Sequence, residues 1–476
     1  MELADNWDDG GADSSQKRSD DSQIAGSGEI VENVESSEKN SANSTNSPHP
    51  QPHAVFPEDS ILEDYMNYAR NLTESEDQII IGTYLPIVAA VLGRNVDLDF
   101  AGKKFPNLYT VIVTKPGLRK STTIRLAKNI GRSVLDDGSF LDGVASDEAL
   151  FDLYLANPDR ILIEDEGNAI LSNWASHGAG KLACKRFLKL YDCELWAQNY
   201  MRQKKDDNGS ITQTIPANST SLLIGTTLNN CRFNQLEVRD GMRRRVNYYV
   251  SEHLARTIDW PSRPVEAEFQ SICTSLRKIR GLKGEMKLSD DAKITWSRIQ
   301  KDNRKQIDST TGSDPAADAH LSALAEVPSK ILKMAMIFEA CRWAKNPDSR
   351  DWRTIQADTL ELAAQHVAYC LSAAGQLDLI AERAEIENDA DCILAKIRSS
   401  ARALNRGSGE NVEFVELTKT QLTSDFAHHS GRRGAMTTDR LYNKVIPNLI
   451  ARGLAKAGER SGKRQTFLFS LDLLGQ

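Results

Sequence analysis

The stretch Val111-Ile112-Val113-Thr114-Lys115-Pro116-Gly117-Leu118-Arg119-Lys120-Ser121-Thr122 constrains this chain most. An apolar β-type run feeds a Pro-Gly turn, and Lys-Ser-Thr then opens a helix. A strand, a tight turn and a helix N-terminus carrying Lys and Ser make the apparatus that holds a nucleoside triphosphate. Main-chain N–H groups of the turn would face the phosphates. Lys120 would reach the β- and γ-phosphates, and Ser121 would ligate Mg²⁺. The candidate cradle is Lys115, Pro116, Gly117, Leu118, Arg119, Lys120, Ser121 and Thr122. The standard spacing G-x-x-x-x-G-K-[ST] puts glycines at two positions where this chain has Thr114 and Arg119, leaving Gly117 inside the loop. A Lys-Ser pair at a helix start also serves as a solvated cap, so the surrounding pattern has to decide.

That pattern alternates strands with helices. Asn107–Val113 leads into the loop, and Ser121–Val134 continues as a helix; Ser146–Ala156 is a second helix, opened by a cap at Ser146-Asp147-Glu148. Arg160–Glu166 (Arg-Ile-Leu-Ile-Glu-Asp-Glu) then reads as a buried strand ending in carboxylates. Ser219–Thr227 reads as a third buried strand, ending in hydroxyls. Such alternation predicts a parallel sheet with helices on both faces, whose ligand sits at the carboxyl ends of the strands. Asp165 is expected to hold Mg²⁺ through water and Glu166 to polarise the attacking water, because phosphoryl transfer depends on positioning and charge neutralisation. A strand that simply ends in solvent is the plainer reading of the pair. Of the hydroxyls and amide that follow the third strand, Thr226, Thr227 and Asn229 are candidates to sense the γ-phosphate or the attacking water, and an ordinary polar turn would look the same. Asp240-Gly241-Met242-Arg243-Arg244-Arg245-Val246 carries three arginines before an apolar strand. One of them suits an arginine finger offered to a neighbouring subunit; a run of three also reads as a solvated face or a contact to DNA phosphates.

The rest of the chain sorts into three parts. Residues 1–56 are rich in Ser, Asn, Asp, Glu and Gly, too polar to offset the entropy of ordering, and are expected to be a disordered acidic tail. The plainer reading of the tail is solvation; the functional one is an arm that mimics DNA or binds partners, replication proteins among them. Residues 57–264 would hold a helical lead-in (Asp59–Asn71 and Glu76–Leu92, the second capped by Thr73 or Ser75) and the sheet core. Residues 265–385 read as an α-helical subdomain of four helices, Val265–Arg280, Ser289–Ser309, Ala319–Trp343 and Thr354–Ala384. In residues 386–476 the order is helix (Ala390–Leu404), strand (Val412–Glu416), helix (Thr418–His428), helix (Thr438–Arg452) and a hairpin with a basic tip, which is the order of a winged helix. Pro447 is awkward within its helix, since it lacks the N–H that the helix needs.

Charge supports a nucleic-acid partner. The net charge of −7 conceals a balance of −8 in residues 1–46 and +6 in residues 431–476. Arg432, Arg433, Arg440, Asn443 and Lys444 on or before the last helix, with Lys456, Arg460, Lys463 and Arg464 on the wing, are the DNA-contact candidates. A winged helix serving as a protein–protein module is the competing reading. Seven scattered cysteines without a C-x-x-C pair predict reduced thiols and no structural zinc. No apolar run approaches the roughly 18–20 residues of a membrane span, and no signal pattern opens the chain, so a cytoplasmic protein without membrane contact is expected.

With these residues in view, the chain resembles the helicase-like P-loop ATPases of unknown function found in prophages, plasmids and satellites, often fused to or beside primases. The resemblance runs from about residue 75 to 385. It is carried by Pro106-Asn107-Leu108-Tyr109, loop 115–122, Ile161–Glu166, Leu190-Tyr191-Asp192, Gly241–Val246 and Ile331-Leu332-Lys333-Met334-Ala335. It implies a RecA/AAA+-like sheet, ATP with Mg²⁺, DNA as partner and a homo-oligomer. It assigns nucleotide roles to Lys120, Ser121, Asp165 and Glu166, and makes Arg245 the finger. Thr114 in place of the first glycine departs from the family, whereas Arg before the loop lysine does not. A motor of this kind, an ATP-switched DNA-binding initiator and a catalytically dead scaffold are the three functions the residues allow.

Overall fold

The computed structural model describes residues 54–470 apart from 142, 144–146, 176–178, 202–209, 216, 229–240, 260–262, 311–314, 409–413, 428–435 and 459–465. Residues 1–53 of the expected acidic tail, Asn229, Arg432, Arg433, Arg460, Lys463 and Arg464 lie outside the described residues; Ala54 and Phe56, at the tail's expected end, pack against the apolar core instead.

Two helices lead in, α1 (Ile61–Arg70) and α2 (Asp77–Leu92), followed by short strands β1 (Val96–Asp99) and β2 (Lys103–Lys104). The core then alternates as expected: β3 (Tyr109–Thr114), α3 (Lys120–Val134), β4 (Phe140–Leu141), α4 (Asp147–Ala156) and β5 (Asp159–Glu164). After α5 (Asn168–Ala175) and α6 (Ala179–Tyr191), a hairpin of β6 (Trp196–Met201) and β7 (Ser210–Ile215) precedes β8 (Ser219–Thr227). The short helix α7 (Met242–Arg245) then turns into β9 (Val246–Ser251).

Five strands pair in the order β4-β5-β8-β3-β9, all parallel. Every residue of β3 and β9 is buried, because helices cover both faces and the strands can be apolar throughout. Alternation assigns the faces. Tyr109 turns to α6, its hydroxyl donating to the Phe187 carbonyl at 2.7 Å. Tyr249, in register with Ile112, turns the other way onto Gly82 of α2. The stretch Asp77–Asn95 around α2 is, by length and composition, apolar enough to cross a membrane, with mean hydropathy 1.2, a run that inspection of the sequence passes over. Packing accounts for it: 83% of the stretch is buried inside the fold.

Beyond the sheet come α8 (Glu266–Arg280), β10 (Gly284–Leu288), α9 (Asp290–Ser309), α10 (Pro315–Lys345), β11 (Thr354–Ile355) and α11 (Ala357–Ser408). Three differences from expectation stand out here. The segment 354–384 and the helix 390–404 are one helix of 52 residues, with no Gly or Pro between them to break it. A small sheet, β11-β10-β1-β2, ties the helical region back to the lead-in. Third, the helices of 266–377 have no core of their own: Cys273, Leu276, Phe338 and Leu377 belong to the same apolar cluster as Ile80 and Ile112.

A second apolar cluster begins along α11. Ala390, Ile393, Leu394 and Ile397 pack with Leu422, Leu441, Val445, Leu449, Phe467 and Phe469. It is closed by the antiparallel sheet β12-β14-β13, made of β12 (Phe414–Thr418), β13 (Ala455–Ala457) and β14 (Thr466–Ser470). The helical segments between these strands are α12 (Lys419–Leu422), α13 (Thr438–Arg440) and α14 (Ile446–Ala451). Pro447 falls in the first turn of α14, directly after a wide π-type turn at Leu441–Val445. At the first or second position of α14 the N–H that proline lacks has no required partner within the helix, so the segment continues through it.

Candidate nucleotide site at the carboxyl edge of the sheet

Parallel register brings the carboxyl ends of the central strands together. Thr114 of β3 pairs with Thr227 of β8 and Ser251 of β9, and Glu164 ends β5 on the other side of β8. Loop 115–119 therefore rises from the middle of one edge, facing the turn Asp165-Glu166-Gly167. Between them lies a cleft of about 480 Å³. Its floor is the loop with Lys120, Ser121 and Thr122; its far wall is Glu166, Asn168, Thr226 and Thr227.

The loop has the shape that the sequence left open. Gly117 has φ +86° and Arg119 φ +59°, both in the left-handed region. An arginine there is strained by about 1 kcal/mol relative to glycine. It is held in place: Arg119 Nε donates to Glu74 Oε2 at 2.8 Å, an ion pair that draws the Glu74 carboxyl below its usual range. The position that the standard motif fills with glycine thus keeps glycine's conformation with a different residue. Lys115 pairs with Glu252 at 2.9 Å, and that hydrogen bond lowers the Glu252 carboxyl likewise.

The lead-in supplies the loop's anchor. Ser75 does not cap α2, whose N-cap is Glu76 with no side-chain bond. Instead the Ser75 hydroxyl donates to the Leu118 carbonyl at 3.1 Å and lies 2.8 Å from the Thr123 hydroxyl, which donates to the Arg119 carbonyl at 3.1 Å. Thr73 joins at 3.1 Å from Thr123. Ser75, 43 residues upstream, thus holds the Leu118 carbonyl, and with Thr73 it braces the Thr123 hydroxyl that holds the Arg119 carbonyl.

Lys120 meets the turn that carries both acids. The Lys120 ammonium donates to the main-chain carbonyl of Asp165. Burial pulls its pKa below the usual lysine range, against the opposing pull of the Asp165 and Glu166 carboxylates. Glu166 lines the cleft, whereas Asp165 reaches the site through its backbone. Gly225 makes the convergence possible: a Cβ there would stand 2.9 Å from both the Lys120 Nζ and the Asp165 carbonyl. Thr226 donates to the Asn168 amide oxygen across the cleft. Asn168, Glu74 and Gly225 were not singled out from the sequence, since no motif spacing marks them. Among the described residues, no group of three or more His, Cys, Asp or Glu is placed to hold a metal. An exposed Ser121 hydroxyl and nearby carboxylates are a donor set for Mg²⁺ that arrives with a triphosphate and keeps several waters.

Arg245 lies elsewhere. It precedes Val246, which pairs with Tyr109 at the amino end of β3, roughly 17–20 Å along the strand from the loop. Its Nη2 pairs with Asp192 Oδ2 at 2.6 Å and its side chain is 11% exposed. Four of the sequence segments quoted for the resemblance meet around it. Arg245 lies over the Tyr191 ring, Asn107 donates to the Tyr191 carbonyl at 2.9 Å, and Lys333 donates to Asn107 Oδ1 at 2.7 Å. Burial lowers the Lys333 pKa to about 8.

On the C-terminal module, the basic side chains of α13 and the following turn are paired with acids of α11 at the surface. Arg440 pairs with Glu385 at 2.8 Å and Asp389 at 2.7 Å, and Lys444 pairs with Glu382, all on α11; Asn443 donates to Asp439 at 2.6 Å. Lys456, on β13, is exposed. Two of the expected DNA contacts, Arg440 and Lys444, are thus engaged by acids of the same chain, a long-range arrangement no local pattern reveals. Comparison with models of known protein families finds no match to this chain, and comparison with curated proteins finds no similar sequence either, so function has to be read from the cleft itself.

Proposed function

We propose that the chain binds and hydrolyses a nucleoside triphosphate with Mg²⁺ at loop 115–122, acting as an ATP-dependent, helicase-like protein of DNA replication. The observation that carries this reading is the meeting of Lys120 with the Asp165-Glu166 turn across one cleft at the carboxyl edge of a parallel sheet. Main-chain N–H groups of the loop and the first turn of α3 would face the β- and γ-phosphates, with Lys120 neutralising their charge. Ser121 would ligate Mg²⁺, Asp165 would hold it through water, and Glu166 would orient and polarise the attacking water. Thr226 and Asn168, joined by their hydrogen bond, would report the γ-phosphate to the rest of β8. Arg245 is too far from Lys120 of its own chain to serve it, so a finger role requires a neighbouring copy in an oligomer.

DNA is the proposed partner, through residues 386–476 as a winged helix. The excess of basic residues in 431–476 and the exposed Lys456 support it. The acidic tail would recruit replication proteins, and the setting would be a mobile element in the cytoplasm. A nucleotide-switched DNA-binding protein that does not translocate is the second reading. It is favoured by Arg245 being held by Asp192 and by Arg440 and Lys444 being held by α11. The experiment is ATP binding and hydrolysis with and without DNA, on the natural chain, Lys120→Ala and Glu166→Gln. Hydrolysis requires that Lys120→Ala binds weakly and that Glu166→Gln binds without turnover. Equal turnover in all three ends the assignment; binding with no DNA-stimulated turnover selects the switch.

A further inference from the structure

A second cleft, of about 340 Å³, adjoins the first. The two share Arg119 and Thr122; beyond these the first is lined by Glu166 and Thr226, the second by Leu72, Glu74, Leu126 and Ile258. Its volume is at the lower end of the roughly 300–1,000 Å³ usual for small-molecule sites. Its walls differ from those of the first cleft. Leu72, Leu126, Ile258 and Pro264 give apolar surface, and Arg125 extends an exposed guanidinium one turn of α3 beyond Ser121.

The walls come from three segments far apart in sequence, and Glu74 joins them. Its Oε2 accepts from Arg119, its Oε1 accepts from the Ile258 N–H at 3.2 Å, and its main-chain carbonyl accepts from the Ala255 N–H at 3.0 Å. Arg256 is tied to the same lead-in through Asp77 at 2.6 Å. One carboxylate therefore couples the loop that would cradle phosphates to the segment that closes the neighbouring apolar cleft.

We infer that this second cleft is the nucleoside half of the ligand site: it takes the base and sugar of a nucleoside triphosphate whose phosphates occupy the first cleft. The inference rests on reading loop 115–122 as the triphosphate site. The base lies between Leu72 and Leu126 on one side and Ile258 and Pro264 on the other, where apolar contact and exclusion of water favour a flat ring. The Arg125 guanidinium stacks on the ring or meets the α-phosphate. Glu74 is a positioning residue, since both of its carboxylate oxygens hold protein donors that shape the cleft.

Inorganic tripolyphosphate tests this, because it carries the phosphates without a nucleoside. Calorimetric titration would compare Mg²⁺–ATP with Mg²⁺–tripolyphosphate on the natural chain, Leu126→Trp and Ile258→Trp. The expected result is that the natural chain binds ATP about tenfold or more tighter than tripolyphosphate. Either tryptophan should remove that advantage and leave tripolyphosphate affinity unchanged, which also reports an intact fold. Ile258 lies on a connecting segment, so its variant stands even where Leu126→Trp distorts α3. Equal affinity of the natural chain for the two ligands, or an ATP advantage that survives Ile258→Trp, overturns the nucleoside site alone. Failure of the natural chain to bind either ligand overturns both this inference and the triphosphate reading beneath it.

Discussion

Adding one methyl group at Gly225 should disturb the candidate site without altering any side chain that faces it. The Cβ of Gly225→Ala would stand 2.7 Å from the end of Ile124 and 2.9 Å from both Lys120 Nζ and the Asp165 carbonyl. Ile124 can rotate aside, and so can the lysine. The carbonyl cannot retreat easily, because the next turn is tied to β8 by a 2.8 Å bond from the Gly167 N–H to the Gly225 carbonyl. The methyl group therefore displaces the ammonium and strains the turn. Crowding of this kind costs about 1–3 kcal/mol of stability. A hydrogen bond to a charged group is worth about 1.5–3 kcal/mol, so losing a well-placed ammonium–phosphate contact weakens binding roughly 10- to 150-fold. Urea unfolding and calorimetric titration with Mg²⁺–ATP measure the two effects separately. Lower stability with affinity unchanged within about twofold would refute the placing of Lys120 on the phosphates. An unchanged unfolding midpoint would refute the steric reasoning itself.

Three further outcomes follow from the same geometry. Ser75→Ala leaves the Leu118 carbonyl and the Thr123 hydroxyl each short of a buried partner, so urea unfolding should show a loss of about 1–3 kcal/mol and nucleotide affinity should fall with it. His366 is fully buried, its Nδ1–H donating to the Val55 carbonyl at 2.5 Å and its Nε2 accepting from the Tyr249 hydroxyl at 2.6 Å; burial lowers its pKa to about 4. The unfolded chain then binds the extra proton first, so stability should fall by about 3 kcal/mol as pH drops from 6.5 to 4 and level off below. Melts of His366→Gln should lack that slope. On the C-terminal module, Glu382→Gln with Glu385→Gln should change stability little, because exposed ion pairs contribute about 0–1 kcal/mol each. With Asp389→Asn added, so that Arg440 loses its second carboxylate too, the triple variant should bind duplex DNA more tightly, with a dependence on salt steeper by about 2 in log–log slope, if Arg440 and Lys444 then reach phosphates; an unchanged slope removes that face from the DNA surface.

Local chemistry made much of this molecule legible in advance. Ser219–Thr227 is a strand over the expected bounds, and the helix after the loop begins at Lys120, one residue from its expected start. Apolar periodicity and turn residues act over a few positions, so the text of the chain reports them directly. The alternation of strands and helices likewise implied that the carboxyl ends of β3, β5 and β8 would share one edge, and they do.

Other features depended on residues that meet only after folding. Nothing near Ser75 marks it as an anchor for Leu118, and Glu74 has no spacing that ties it to Arg119 and Ile258. Gly225 looks like any glycine in an apolar strand until Lys120 and Asp165 arrive beside it. The basic residues Arg440 and Lys444 suit a DNA-facing helix by composition, yet α11 brings acids against them from some fifty to sixty positions away. The sequence by itself determined the alternation of strands and helices that builds the parallel sheet and marked loop 115–122 as the candidate triphosphate cradle, because propensity and motif chemistry are local. Which charges stay free, which glycine is indispensable and what wall stands beside the loop were decided by tertiary packing, because each is a distance between atoms that the order of residues does not contain.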